Sequence, residues 1–249
     1  MEQPSPSAAR PAAIRSSSKI LAPLAVLASL ALVSCGEEAA VTEPAPVQTG
    51  ASETVTEVPV AGAQRDILAF GDSLFAGYNV PKDDSYPAKL EAALRAAGVN
   101  ARVVNAGVSG DTSAAGRQRF EFTLDAQEEA PDLLILELGG NDLLRGIDPA
   151  QTRANLAAMI ETAQARGIDV LLMGMQAPPN VGPEFQAEFS GLYTSLAEEY
   201  GVAVIPNWVE DVASKPELIQ SDRIHPTVEG IEVLVESTRE AVEAAIPDA

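Results

Sequence analysis

The sequence predicts an α/β domain built on a mostly parallel five-stranded sheet with helices on both faces. Two observations carry this reading. Short runs of β-branched and aliphatic residues, each read as buried on both faces, recur at residues 66–70, 102–105, 133–138, 170–175 and 202–205. Longer stretches with helical character fall between and after them, at 86–97, 151–166, 184–200 and 228–245. Strand and helix in alternation imply parallel strands joined by helical crossovers.

The first strand, 66–70, stops abruptly at Gly71-Asp72-Ser73-Leu74, and the second and third end in Asn105-Ala106-Gly107 and Gly139-Gly140-Asn141-Asp142. The helix at 151–166 has Asp148 as its cap, Pro149 in its first turn and Gly167 to end it. Leu156, Met159, Ile160 and Ala163 form its apolar face at i, i+3, i+4, i+7 spacing. Ile231, Leu234, Val235, Ala241 and Val242 give the last helix a similar face. No internal repeat is visible.

Residues 1–34 stand apart from this pattern. Arg10, Arg15 and Lys19 precede an apolar run from Ile20 to Val33, then Ser34-Cys35-Gly36, the order of a bacterial secretory signal. A helix over that run of 14 residues would be about 21 Å long, short of the roughly 30 Å of a hydrocarbon core. Pro23 inside the run weakens a spanning helix further. Leu32-Val33-Ser34-Cys35 resembles the lipobox of bacterial lipoproteins, which implies cleavage before Cys35 and a diacylated thiol. The alternative is a free cysteine beside an ordinary export signal. Cys35 is the only cysteine, so with it lipidated the folded part has no disulfide, cysteine-ligated metal or thiol nucleophile. Residues 35–64 read as an acidic, disordered tether reaching roughly 30 Å. Residues 65–249 are left as one domain with a sizeable core.

The formal net charge is −20, and removing Arg10, Arg15, Lys19 and Glu2 with the signal takes it to −22. Such a surface excludes nucleic acid as a partner and would be repelled by an anionic bilayer. Membrane proximity is therefore expected through a lipid on Cys35, on the exported side of a bacterial membrane. Gly36 after the cysteine resembles outer-membrane sorting in enteric-type bacteria.

In a parallel sheet, ligands gather at the carboxyl ends of the strands. Ser73, Gly107 and Asn141 fall there, and Asp222-Arg223-Ile224-His225-Pro226 precedes the last helix. A serine hydroxyl needs a base to become a nucleophile. His225 is the only histidine in the chain. Asp222 can accept from its Nδ1–H and fix the tautomer that presents Nε2 to the serine. Attack on an acyl carbon creates an oxyanion, for which the backbone N–H groups of Ser73 and Gly107 and the Asn141 amide are candidate donors. Each piece alone has an ordinary explanation as a turn serine, a tight loop or a helix start. The G-x-S-x-G elbow is absent, and Ser109 in GVSGD only mimics it because Asp111 stands where the final glycine belongs.

GDSL at 71–74, Gly107, GGND at 139–142 and DxxH at 222–225 resemble the four blocks of the GDSL or SGNH hydrolases. The stretches FGDSLFAGYN, NAGVSGDTSAAG, ELGGNDLLRGI and IHP are most similar to the bacterial thioesterase/lysophospholipase/arylesterase branch. The resemblance implies a flavodoxin-like three-layer α/β/α sandwich and a serine esterase acting on carboxylic esters or thioesters, with no metal or organic cofactor. It implies Ser73 as nucleophile, His225 as base, Asp222 as orienting partner, and Ser73, Gly107 and Asn141 as oxyanion hole. The loop 143–148 resembles the mobile substrate loop of the family, and 177–183 the opposite wall. Asp72, Leu143, Leu144, Ile147 and Pro178 are the substrate-binding candidates. Two positions depart from the branch: Asn79 where a basic residue is common, and Arg223 where a small one is usual. A glycan deacetylase on the same triad and a non-catalytic acyl-binding lipoprotein are the competing readings.

Overall fold

The computed structural model describes residues 59–248; the expected signal, Cys35 and most of the expected tether lie outside the described residues. Residues 59–64 have no regular secondary structure. The elements follow in order: β1 (Arg65–Gly71), α1 (Ser73–Ala76), α2 (Tyr86–Ala96), β2 (Ala101–Gly107) and α3 (Ser113–Asp125). Next come β3 (Leu133–Leu136), α4 (Gly140–Leu144), α5 (Pro149–Ala165) and β4 (Asp169–Met173). The chain ends with α6 (Pro183–Tyr200), β5 (Ala203–Ile205), α7 (Glu210–Ala213) and α8 (Val228–Ala245).

The five strands are ordered β2-β1-β3-β4-β5 and every neighbouring pair is parallel. This is the α/β arrangement expected, with no antiparallel member. Helices α2 and α8 pack together on one face, whereas α3, α5 and α6 cover the other. The winding therefore reverses between β1 and β3. That reversal opens a crevice at the carboxyl ends of these two strands, the usual ligand position in such sheets.

Burial on both faces holds for the central strands only. In β1, Ile67 to Phe70 are buried, and so are all four residues of β3. The expectation fails for β2 and β5, which are the sheet edges and are mostly half-buried or exposed. An edge strand has one open ladder, and here Glu91 of α2 closes part of it by accepting from Val103 N–H at 2.6 Å.

Helix α5 begins as its sequence implies: Asp148 accepts from Ala150 N–H at 2.9 Å and Pro149 occupies the first turn. Its four apolar-face residues are all buried. On α8 the face follows Ile231, Leu234, Val235, Thr238 and Val242, leaving Ala241 exposed. Thr238 belongs to that face because the buried Tyr86 hydroxyl pairs with its hydroxyl at 2.7 Å. Helix α3 has no counterpart in the sequence reading. Only Phe120 and Leu124 supply large buried apolar groups, and Phe122 is 77% exposed, so no amphipathic period stands out. What secures its start is polar. Thr112 caps Ala115 N–H, and the buried Asp142 carboxylate accepts from both Ser113 N–H and Ser113 Oγ. Among the described residues, no helix is long and apolar enough to cross a membrane.

Candidate active site

Ser73 is the first residue of α1, directly beyond β1. Asp72 shapes the turn by accepting from Leu74 N–H at 3.0 Å with Oδ1. On the far side, Asp222 precedes α8 in a loop pinned by an antiparallel bridge between Ile219 and Pro226. Asp222 Oδ1 accepts from the Ile224 and His225 N–H groups, which folds the loop back so that the ring of His225 meets the carboxylate. His225 Nδ1 lies 2.7 Å from Asp222 Oδ2, and Nε2 lies 2.8 Å from Ser73 Oγ. Burial would raise the Asp222 pKa. The hydrogen bonds from His225 and the two backbone N–H groups outweigh it and hold the carboxyl at about 2.

A cleft of about 390 Å³ opens over Ser73. His225, Asn141 and Gly110 border its polar part, and Tyr78, Leu144 and Ile224 its apolar mouth. Asn141 Nδ2 donates to Asp72 Oδ2 at 3.0 Å, which fixes the amide beside the serine. Beneath this pair sits Glu137, fully buried, with Oε2 accepting from Asp72 N–H at 3.1 Å. Its Oε1 has no partner among the described residues. Burial, and then the nearby Asp72 charge, push the Glu137 carboxyl well above the usual carboxylate range. Burial raises the Asp72 carboxyl as well, against the hydrogen bonds from Leu74 N–H and the Asn141 amide that favour its charged form.

Ser73, Asp222, His225 and Asn141 thus come together as the sequence implied; Gly107 does not. It is the last residue of β2, paired with Gly71, and its N–H donates to its neighbour Asn105 Oδ1 at 2.9 Å. A Cβ at this position would run into Ala76 N and Asp72 O. Gly107 is a glycine because α1 packs against it, not because a ligand approaches. The glycine of this loop that borders the cleft is Gly110, three residues on, at φ +87°. Its carbonyl is held by Arg145 at 2.8 Å, while among the described residues neither its N–H nor that of Ser73 has an acceptor. Arg119 braces the same loop, pairing with Asp111 at 2.6 Å and donating to Gly71 O at 3.0 Å.

The substrate-binding candidates divide. Leu144 borders the cleft and is 61% exposed. Asp72 reaches the cleft wall, but both its carboxyl oxygens are engaged. Leu143 turns to the core instead, because α4 presents successive residues to different sides. Ile147 and Pro178 do not border the cleft. Pro178 is exposed at the start of a short 3-10 turn (Pro179–Val181). Sequence reasoning missed Tyr78, Gly110 and Ile224. For Gly110, the second glycine of NAGVSG was the available signal.

The GDSL-like lipase/acylhydrolase family profile matches residues 69–233. The chain is 42% identical over 166 residues to esterase TesA of Pseudomonas aeruginosa, covering 67% of this chain and 82% of that protein. It is 38% identical over 166 residues to thioesterase 1/protease 1/lysophospholipase L1 of Escherichia coli K12, covering 67% and 77%. The crystal structure of AlinE4, an SGNH-hydrolase family esterase, is 57% identical with a TM-score of 0.64, covering 76% of this chain and all of that one. With its sheet order, its cleft and these relatives taken together, the chain belongs to the GDSL-like lipase/acylhydrolase family and is a hydrolase of ester bonds.

Proposed function

We propose that the chain cleaves acyl esters or thioesters through an acyl-enzyme on Ser73. The observation that carries this reading is the unbroken hydrogen-bond line Ser73 Oγ–His225 Nε2 and His225 Nδ1–Asp222, opening onto a cleft. His225 Nε2 takes the Ser73 proton as Oγ bonds to the acyl carbon. Asp222 accepts from Nδ1–H and offsets the imidazolium charge. The oxyanion accepts from Ser73 N–H, Gly110 N–H and the Asn141 amide, with Gly110 taking the role first given to Gly107. Collapse breaks the bond to the leaving alcohol or thiol, which receives the proton from His225. A water then gives a proton to His225 and attacks the acyl carbon. Breaking the Ser73 Oγ–carbon bond releases the acid, and His225 returns the proton to Oγ.

The apolar mouth of Tyr78, Leu144 and Ile224 favours an acyl chain over a sugar. Attachment to a bacterial membrane through a lipid on Cys35 is part of the same proposal, supported by that cysteine's place after the apolar run of the signal. Ser73→Ala and His225→Ala are each expected to lower hydrolysis of p-nitrophenyl acetate by at least about 10³-fold with circular dichroism unchanged. Activity surviving in either folded variant sinks the triad assignment.

A further inference from the structure

Two contacts on His225 lie outside the triad, one from the segment that carries the nucleophile and one from the base's own loop. After α1 the chain passes through left-handed Gly77 and Asn79, with φ of 78° and 58°. Tyr78, held between them by its N–H to Ser73 O at 3.2 Å, lays its ring on the face of His225. The ring centroids are 4.2 Å apart and the planes differ by 29°. On the other side of the loop, Gln220 N–H donates to His225 O at 2.7 Å, and Gln220 O accepts from Arg223 N–H at 2.9 Å. The Gln220 side-chain amide then makes two bonds. One goes to Pro226 O within the loop at 2.8 Å, and one crosses to Tyr78 O at 2.9 Å.

We infer that Gln220 and Tyr78 form a clamp that positions His225 against Ser73. The inference rests on the reading of Ser73 and His225 as nucleophile and base. The physical need is plain: Asp222, Arg223 and Ile224 are exposed, so the base sits on a loop with little packing of its own. Asp222 fixes one edge of the imidazole, but it belongs to the same loop and moves with it. Gln220 joins the loop to the nucleophile's segment, across 142 residues of sequence. Tyr78 limits tilting of the ring about its own axis. Tyr78 also borders the cleft, whereas Gln220 does not, so the pair separates positioning of the base from contact with the acyl chain.

The test is the second-order rate at which a small ethyl fluorophosphonate, lacking an acyl chain, labels Ser73. Gln220→Met, which keeps the side-chain length but not the donors, and Tyr78→Leu are each expected to slow labelling about tenfold. Tyr78→Phe should recover most of what Tyr78→Leu loses, because the ring makes the stack. The double variant should lose less than the product of the two singles, as partners in one clamp do. Labelling of Gln220→Met and Tyr78→Leu at the parental rate overturns the inference, and so does Tyr78→Phe as slow as Tyr78→Leu. Should Gln220→Met fail to fold by thermal melting, the Leu and Phe variants at Tyr78 decide alone. If the parent protein is not labelled, or Ser73→Ala still is, the triad itself is refuted.

Discussion

Replacing Asn141 by alanine removes the one side-chain donor of the proposed oxyanion hole. Its Nδ2 carries two protons, of which one goes to Asp72 Oδ2 at 3.0 Å and the other remains for the cleft. Losing a single preorganised donor costs about 10²–10³ in kcat, or about 3–4 kcal/mol of transition-state stabilisation. The negative oxygen exists only along the reaction path, so KM should change little. The same substitution takes a donor from Asp72 but leaves the Leu74 N–H in place. That costs about 1–2 kcal/mol of stability, and a melting temperature lower by roughly 2–8 °C in a domain of this size. The assay is steady-state hydrolysis of p-nitrophenyl acetate, with active sites counted by fluorophosphonate burst. A fall in kcat of less than about fivefold, or a rise in KM accounting for the whole loss, refutes the donor role.

Arg223 sits at φ +64°, where a side chain costs about 1–2 kcal/mol and glycine none. Glycine's greater freedom when unfolded returns about 0.4–1 kcal/mol of that. Arg223→Gly should therefore raise the melting temperature by about 1–3 °C in a thermal scan, and a lower value would show that the side chain contributes more than its strain. Asp222→Asn should lower kcat by about 10²–10⁴-fold, since an amide can stabilise the wrong imidazole tautomer. Its stability effect has a definite sign with pH. The folded-state pKa of about 2 lies below the ordinary value of 3.8, so the carboxylate's contribution is complete above about pH 4 and lost as pH falls toward 2. Denaturant midpoints of parent and variant should converge over that window; a gap that widens there contradicts the assignment.

The proposed nucleophile, base and orienting acid were legible because residue type left little choice, with one histidine and an aspartate three positions before it. The glycine proposed for the oxyanion hole was not. NAGVSG offers Gly107 and Gly110, and only the fold decides that one packs under α1 while the other faces the cleft. Tyr78 was hidden for a different reason: stacking between residues so far apart leaves no local pattern. Glu137 did leave a trace, as a lone acid inside an apolar run, but the upward push on its carboxyl follows from burial beside Asp72. At the fold level, periodicity found the helices whose stability comes from an apolar face. It missed α3, whose N-terminus is organised by Asp142.

The direction of β1 also separates the start of the domain's sheet from its cleft. The chain enters the domain at Arg65, beside Asn100, whose amide holds Gly62 O at 3.1 Å. It reaches Ser73 only after a strand of seven residues, about 23 Å further on. Entrance and mouth are therefore opposite poles of the sheet. A contact made at the Gly62 end leaves the cleft over Ser73 uncovered.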